Sequence, residues 1–384
     1  MNLRSMLTNW LLPPNTPGGW TVRGAGGPTP AVPVNEFSAL ALPVVYACVQ
    51  RLSTPLAMFP VEVFRGREFQ PDHAVSRLFN RAPNPFMAPR TLRKTGMAGA
   101  LLWGNGYVEI QRDGAGRPVG LWPLLPWATC PDRQEDKLTY RTVIDGTSFP
   151  LDHSDVLHLM DFTLDGYVGL SPIQQARAAV GLAQAAESFG AKFFANDAKS
   201  GGFLQMPGKL SAKASDNIRR SMDEQGGLDN AHRIKILEEG AKYVATTISP
   251  DDAQFLSTRE FQIGEMARMY NVPLFLLQHS EPGTVWGSGM EVMNTNFTTH
   301  SLSPWASVWE QEINRKMFSE REQDQGYFAK FNMDSLMRGD SVGRAAYYGA
   351  GITAGWLTVA EAREMEDLDA LPSTSDTPGL AGEV

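Results

Sequence analysis

The sequence is short of cysteine and has no long apolar run. Among its 384 residues only Cys48 and Cys130 are cysteines, which is too few for a scaffold held together by disulfides. No segment approaches the ~20 consecutive apolar residues of a membrane-spanning helix. Residues 1–12 lack the compact apolar region and cleavage site of a secretory signal peptide. We therefore expect a cytoplasmic origin and no association with a membrane.

Motifs for catalysis and cofactor binding are also missing. The sequence has neither a Gly-x-x-x-x-Gly-Lys-Ser/Thr phosphate loop nor a Gly-x-Ser-x-Gly nucleophile turn. His153 and His158 are near each other, but no cysteine or third histidine joins them to complete a zinc site. We therefore expect no catalytic residue, no metal and no cofactor, and interpret the protein as a non-enzyme.

Positive charge is scarce as well. The chain has 34 Lys and Arg against 42 Asp and Glu, a formal net charge of -8. Proteins that grip DNA neutralise its phosphates with basic side chains, so tight or sequence-specific DNA binding is not expected. The charge is compatible with a surface past which DNA slides, although solubility alone is the simpler explanation.

Two long predicted helices around a small insert are the most informative part of the sequence. The first begins at Ser171 and runs to about Asn196, with a stripe of small apolar residues typical of close helix packing. The second begins at Ser249 and stops before Pro273. The insert between them alternates as strands and a polar helix, predicted at 203–206, 211–225, 233–237 and 242–248.

A Gly-rich stretch and a third helix follow the second helix. From His279 to Gly289 the chain has three glycines and a proline, and no Lys or Arg, which predicts a mobile loop. The third helix begins at Glu291, and Pro304 is expected to kink or restart it with Ser303 as the new cap.

The region before residue 171 is predicted to be α+β with antiparallel hairpins. Helices are expected at 39–57 and 92–102, and strands at 61–64, 107–111, 119–124, 139–144 and 156–160. After the third helix we expect a strand at 327–332 and helices at 342–350 and 359–367, the last of which begins with a capping box formed by Thr358 and Glu361. Both ends of the chain, rich in Pro and Gly or in Ser, Thr and Pro, are predicted to be flexible.

Short motifs occur in a specific order along residues 36–370. They are Val44–Val49 with Pro60–Phe64, Pro83–Pro85, Gly104–Tyr107, Asp155–His158 with Gly169–Pro172, Arg259–Phe261 with Tyr270–Pro273, and Gly343–Glu366. In this order they resemble the portal (head–tail connector) proteins of tailed bacteriophages, in the compact type of long-tailed phages, prophages and gene transfer agents. One departure is Ala360, where the family usually carries Asn before Glu-x-Arg.

The resemblance implies an α+β portal fold whose parts follow in chain order. They would be a flexible N-terminal arm (1–35), a wing (36–170), a first stem helix (171–199), a clip (200–249), a second stem helix (250–271), a tunnel loop (272–290), a kinked wing helix (291–326), a short helical crown (327–370) and a disordered tail (371–384).

The same resemblance implies a channel for the genome. We expect a homo-oligomeric ring, usually of twelve subunits, at one vertex of the capsid, in the virion after assembly in the host cytoplasm. The expected partners are the major capsid protein, the terminase large subunit, the head–tail adaptor and double-stranded DNA that passes without being read.

Candidate site residues follow from this arrangement. The tunnel loop would turn five side chains toward DNA: His279, Glu281, Val285, Trp286 and Met290. Trp286 packing on a neighbouring subunit is an equally good interpretation. The stem would supply four basic side chains to the channel wall: Lys192, Lys199, Arg259 and Arg268. Arg259, next to Glu260, would serve equally well in an ion pair between subunits.

Two other functions stay open at this point. One is an uncharacterised α+β enzyme, for example a hydrolase whose site is built from scattered carboxylates. The other is a purely structural adaptor ring through which no DNA passes.

Overall fold

The computed structural model describes residues 33–134, 137–195, 202–205, 242–245, 255–279, 288–333, 341–366 and 368–369, with isolated positions at 208, 213, 216 and 220. Nearly all of the predicted N-terminal arm, most of the clip, the middle of the tunnel loop and the C-terminal tail lie outside these residues. No helix among the described residues is both long and apolar enough to cross a bilayer.

Helices and strands are mixed along the chain, as the α+β prediction requires. The helices are α1 (Glu36–Leu40), α2 (Pro43–Met58), α3 (Ala74–Asn80), α4 (Pro89–Trp103), α5 (Pro172–Gln175), α6 (Arg177–Ala195), α7 (Phe255–Met269), α8 (Ser288–Phe297), α9 (Ser303–Lys316), α10 (Glu320–Asp324), α11 (Ser341–Ala354) and α12 (Val359–Met365). The strands are β1 (Val61–Arg65), β2 (Glu68–Phe69), β3 (Gly106–Arg112), β4 (Pro118–Leu124), β5 (Thr129–Gln134), β6 (Lys137–Ile144), β7 (Thr147–Asp152), β8 (Val156–Leu159), β9 (Gly202–Gln205), β10 (Lys242–Ala245) and β11 (Tyr327–Phe331).

The strands form small antiparallel sheets, ordered β11-β1-β2, β4-β3-β8, β5-β6-β7 and β10-β9 among the described residues. β3 and β4 make the predicted hairpin. The sequence pattern does not predict β5 and β7, because Pro131 and Pro150 interrupt them. Each is an outer strand of its sheet, where the N–H that proline lacks is not needed for pairing.

The first predicted helix is divided in two. The pattern predicts one helix over 39–57, but α1 and α2 are separated at Leu42, whose φ of -70° and ψ of 125° are extended. The ring of Pro43 clashes with a helical conformation at the preceding residue, so the chain must turn there. Asn35 caps α1 in a reciprocal pair of hydrogen bonds with Ser38.

The first long helix is interrupted too. α5 ends at Ala176, whose φ of -94° and ψ of 20° leave the helical region, and α6 continues beyond it. Ser171 caps α5 as predicted by accepting a hydrogen bond from the Gln174 amide. In a capping box the Gln174 side chain would bond back to the backbone of Ser171. It donates instead to Glu36 of α1 at 3.0 Å. α6 then packs against α7, the second long helix.

The third helix bends without a break. The expected cap at Ser303 is wrong, because Leu302 occupies the cap position with no side-chain hydrogen bond. A π-helical turn over Thr298–Leu302 joins α8 to α9, and the Ser303 hydroxyl donates to the Thr298 carbonyl at 2.9 Å. The wider π turn accommodates Pro304, which cannot donate a helical hydrogen bond.

One hydrophobic core joins the N-terminal region to α9. Trp309 of α9 is fully buried and meets Phe79 of α3 edge-on, with 6.2 Å between ring centroids. α4 passes close to the same indole at Gly96, where a β-carbon would lie 3.0 Å from the ring. Leu157 of β8 belongs to this cluster. The core therefore holds α9 against elements that are far away in sequence.

The parts of the insert and the C-terminus that are described agree with their predicted elements. β9 and β10 pair antiparallel, with Gly202 opposite Ala245. Lys213, Asp216 and Arg220 are helical and exposed, as the predicted polar helix requires. Near the C-terminus α12 begins with the predicted capping box, in which Thr358 and Glu361 exchange hydrogen bonds.

Candidate functional site

Three of the sequence motifs meet at one buried junction, which we call the α4–α5 joint. It consists of Gly104, Asn105, Tyr107, His158 and Gly169. The first three follow the end of α4, His158 lies on β8, and Gly169 precedes α5. Strand pairing sets Tyr107 opposite His158, and the loop after β8 returns to the end of α4. The motifs are separate in sequence but form a single structural unit.

Asn105 is the central side chain of this joint. Its Nδ2 donates to the carbonyl oxygens of Gly169 at 2.8 Å and Trp103 at 3.1 Å. Its Oδ1 accepts from the Gly169 amide at 2.7 Å and interacts with His158 Nε2 at 2.9 Å. Both donors and both acceptor positions of the carboxamide are therefore used. One side chain thereby fixes the backbone immediately before α5.

His158 is a buried neutral hydrogen-bonding group. Because Asn105 Oδ1 is an acceptor, His158 Nε2 must carry the proton, and Nδ1 accepts from the Tyr140 hydroxyl at 3.1 Å. Burial, together with the nearby charges of Lys316 and Arg315, lowers the pKa of His158 to about 3. Both ring nitrogens are occupied in structural hydrogen bonds, which leaves neither for zinc or proton transfer.

A buried ion pair connects the joint to α9. Lys316 Nζ lies 2.7 Å from Glu312 Oε2 and donates to the Val156 carbonyl at 2.6 Å. The same carboxylate accepts from the His158 amide at 2.9 Å. Arg112 of β3 donates to the Lys316 carbonyl at 2.8 Å and pairs with Asp155. The start of α5 and the end of α9 are thus fixed to the same strands.

Close backbone contact requires glycine at two positions of the joint. Gly104 ends α4 with φ of 77°, and a β-carbon there would lie 2.4 Å from the carbonyl of Leu170. A β-carbon at Gly169 would lie 2.0 Å from the Gly104 carbonyl oxygen. The Ser171 hydroxyl adds a hydrogen bond to the Leu102 carbonyl at 2.8 Å. The two backbone segments therefore lie closer together than any residue with a β-carbon would allow.

A second contact anchors the beginning of the predicted tunnel loop. Asn271 ends the second long helix with a positive φ of 51°, a conformation that asparagine tolerates better than most residues. Its Nδ2 donates to the His300 carbonyl at 2.9 Å, and its carbonyl accepts from the Ser301 hydroxyl at 2.6 Å. Both partners lie in the π turn, so the two sides of the loop are tied together behind it.

Only some of the predicted channel residues are described. His279 is half-buried, and its amide donates to the Leu274 carbonyl at 3.2 Å. Met290 lies on α8 and Lys192 on α6, but their side chains are outside the described part. Glu281, Val285, Trp286 and Lys199 also lie outside it.

The two described basic residues of the predicted stem lie on α7 and are exposed. Arg268 forms an ion pair with Glu265, one turn before it. Arg259 is nine positions earlier, which is two and a half turns at 3.6 residues per turn. The two side chains therefore leave opposite faces of α7 and do not form one basic patch.

Sequence reasoning alone did not identify Asn105, Glu312 or Lys316 as parts of one site. The motif containing Asn105 was the available signal, but nothing local connects it to α9. Among the described residues no group of three or more His, Cys, Asp and Glu side chains is placed to hold a metal ion.

Comparison with known proteins gives consistent matches. Residues 43–367 match the family model described as phage portal protein. A probable portal protein of Streptomyces phage phiC31 is 35% identical over 354 residues, which are 88% of this chain and 77% of the phage protein. The portal protein of Enterobacteria phage HK97 is 32% identical over 346 residues, 88% of this chain and 81% of the relative.

Solved structures share the fold at lower identity. A chain in the neck of an empty GTA particle, computed with C6 symmetry, has a TM-score of 0.60 at 22% identity, covering 91% of this chain and 97% of its own. An HK97 family phage portal protein from Corynebacterium diphtheriae has a TM-score of 0.61 at 16% identity, covering 80% of this chain and 99% of its own.

Replacing Gly104 with alanine should show how much stability the close backbone contact costs beyond the strain of a positive φ. Gly104 and Gly116 have nearly equal φ, 77° and 78°, but a β-carbon at Gly116 meets nothing within 4 Å. Each Gly→Ala change adds the left-handed strain of ~1–2 kcal/mol. We expect Gly104→Ala to lower the free energy of unfolding by at least ~2 kcal/mol more than Gly116→Ala. Denaturant titrations measure this, and equal losses would contradict the close contact.

The buried imidazole should make stability depend on pH. The pKa of His158 falls from 6.5 to about 3 on folding, so below pH 6.5 the unfolded chain binds a proton that the folded chain excludes. The contribution of His158 to the free energy of unfolding is complete above pH 6.5. It is lost as the pH falls toward 3, at up to ~1.4 kcal/mol per pH unit. His158→Gln should flatten this slope when unfolding is measured from pH 7 to pH 4. An unchanged slope would show that His158 is not the group responsible.

Proposed function

This chain belongs to the phage portal protein family, and we propose that its paired helices α6 and α7 form the wall of the portal channel. As a portal protein it forms a ring at one vertex of the capsid of a phage or gene-transfer-agent particle. The ring is the channel for the genome, and the protein is part of the virion.

One observation carries the assignment of the wall to α6 and α7. Leu182 and Phe189 on α6 and Phe261 on α7 are each more than half exposed in the single chain. Large apolar side chains on packed helices are typical of surfaces that other subunits cover. We propose that adjacent copies bury them, so that each helix pair stands beside the next around the channel.

The wall is suited to let DNA pass without holding it. Arg268 is paired with Glu265, the segment from Pro273 to Met290 has no Lys or Arg, and the net charge is -8. Each phosphate that a basic side chain neutralises strengthens non-specific binding to DNA. Weak contact supports passage of double-stranded DNA with no reading of its sequence. Because Arg259 and Arg268 leave opposite faces of α7, we propose that Lys192, Lys199 and only one of these two arginines set a modest attraction in the wall.

The α4–α5 joint supplies the rigid frame of this channel. It fixes the start of α5 and the end of α9 to the same sheet, and the Asn271 contact closes the base of the tunnel loop, residues 272–290. The loop side chains Glu281, Val285 and Trp286 can then narrow the channel while the helices stay in place. Residues 36–170 and 291–326 form the wing, and 327–370 the crown.

We propose the other partners from the predicted clip, residues 200–249. The β9–β10 pair joins Gly202–Gln205 to Lys242–Ala245 near the two ends of this insert, which supports its assignment as a clip. We propose that the clip contacts the terminase large subunit during packaging and the head–tail adaptor afterwards, while the wing faces the major capsid protein. We propose that ATP hydrolysis belongs to the motor, because this sequence has no Gly-x-x-x-x-Gly-Lys-Ser/Thr phosphate loop.

The exposed stem residues should be required for the ring. Twelve copies of the 42.1 kDa chain have a mass of about 505 kDa. We expect Phe189→Asp to yield a folded smaller species, whereas Ser188→Asp, which adds the same charge at the adjacent exposed position, should keep the ring. Native mass spectrometry and negative-stain images compare the two. A full ring from Phe189→Asp would place the subunit contact elsewhere.

The tunnel loop should matter for passage and not for assembly. Replacing Val285 and Trp286 with Gly removes the bulk that narrows the channel, so we expect intact rings and a loss of packaged DNA. Particle DNA content and ring mass are measured on the same preparations. Normal packaging would favour an adaptor ring in which this loop has no role, and loss of the ring itself would assign Trp286 to the subunit contact.

A further inference from the structure

Three aromatic side chains form an exposed cluster next to the first described helix. They are Phe37 of α1, Trp103 at the end of α4 and Trp127 between β4 and β5, which we call the aromatic triad. Their ring centroids lie 5.0 to 5.2 Å apart in edge-on and tilted contacts. Phe37 is 58% and Trp127 53% exposed. The rings therefore stabilise one another while a large part of their surface faces solvent.

The aromatic triad is held on a rigid base. Glu36, next to Phe37, accepts hydrogen bonds from the Ser171 hydroxyl at 3.2 Å and the Gln174 side chain at 3.0 Å. Trp103 is fixed through its carbonyl, to which Asn105 donates. Apolar side chains that are exposed on fixed elements are typical of binding surfaces.

The sequence just before the aromatic triad has the composition of a ligand for it. Residues 13–33 contain Pro14-Asn-Thr-Pro17 and Pro30-Ala-Val-Pro33, two Pro-x-x-Pro motifs, and Arg23 is the single charged residue. Extended Pro-x-x-Pro segments bind grooves lined by aromatic rings, because the extended proline helix is already ordered and its rings stack on flat apolar surfaces.

Chain connectivity favours the motif that begins at Pro14. The Pro30–Pro33 motif leads directly into α1, and Val34 is buried, which leaves it little freedom to turn back on Phe37. Pro33 lies sixteen residues after Pro17, and the chain between them includes five glycines, at 18, 19, 24, 26 and 27. A Gly-rich spacer of this length spans about 22 Å on average, and such short tethers give effective concentrations on the order of millimolar.

We propose that residues 13–17 fold back and bind the aromatic triad of the same chain as an extended proline-rich segment. The Gly-rich spacer is the tether, and Pro14 and Pro17 stack on the exposed rings of Phe37 and Trp127. The triad is thus an intramolecular binding site for a Pro-x-x-Pro segment, independent of the channel function.

Photo-cross-linking in the full chain tests the proposal. A benzoylphenylalanine at position 37 captures whatever lies on the aromatic triad, and the same group at Phe86, which is exposed beside Trp122, is the control. We expect cross-links from position 37 to residues 13–17 and none from position 86. Capture of a different segment, or no capture, would overturn the proposal. Mixing chains labelled with heavy and light isotopes shows whether the captured segment belongs to the same chain or to a neighbouring one. Cross-links between differently labelled chains would show that a neighbouring subunit supplies the segment and would overturn the proposal.

Proline variants test the chemistry of the contact. Pro14→Ala with Pro17→Ala should lower the yield from position 37 at least about threefold, because the stacked rings are lost. Pro28→Ala with Pro30→Ala is the matched control and should leave the yield unchanged. Equal yields from both pairs would rule out recognition of the first motif. Thermal melts check that each variant keeps the wild-type fold.

Discussion

The structure depends on one asparagine side chain that holds two distant pieces of backbone together. Asn105 bonds both the amide and the carbonyl of Gly169 and the ring of His158. A buried polar group left without partners costs ~1–3 kcal/mol, so the loop before α5 has one position that satisfies every group. The glycines at 104 and 169 exist because this position brings two backbones closer than a β-carbon permits.

In the channel that we propose, the same joint holds the helices of the wall in place. α5 and α9 are fixed to one sheet through Asn105 and through the Lys316–Glu312 pair, and Asn271 ties the end of α7 to the π turn. A buried ion pair gains little net stability, but losing one partner is costly. These contacts therefore specify an arrangement more than they add stability.

The channel that we propose requires both weak interaction with DNA and strong interaction between subunits. On α6 and α7, which we propose as the stem, Phe189 and Phe261 are exposed. Arg268 is paired with Glu265 within α7. Apolar burial is short-ranged and suits a permanent ring, whereas phosphate contacts would retard a moving duplex. We therefore propose that apolar contacts between subunits form the sides of the wall and that its lumen makes only weak contact with DNA.

The sequence alone determined most element types, the order of the motifs and the absence of catalytic signatures, because caps, prolines and hydrophobic periods act within a few residues. It also located the strands at 61 and 327 and the capping box at Thr358. It did not determine that Asn105, His158 and Glu312 meet, or that Ala176 and the π turn interrupt two helices. The contacts of His158 with Asn105 and Glu312 join residues 53 and 154 positions apart. Only the packed core around Trp309 brings these segments within hydrogen-bonding distance.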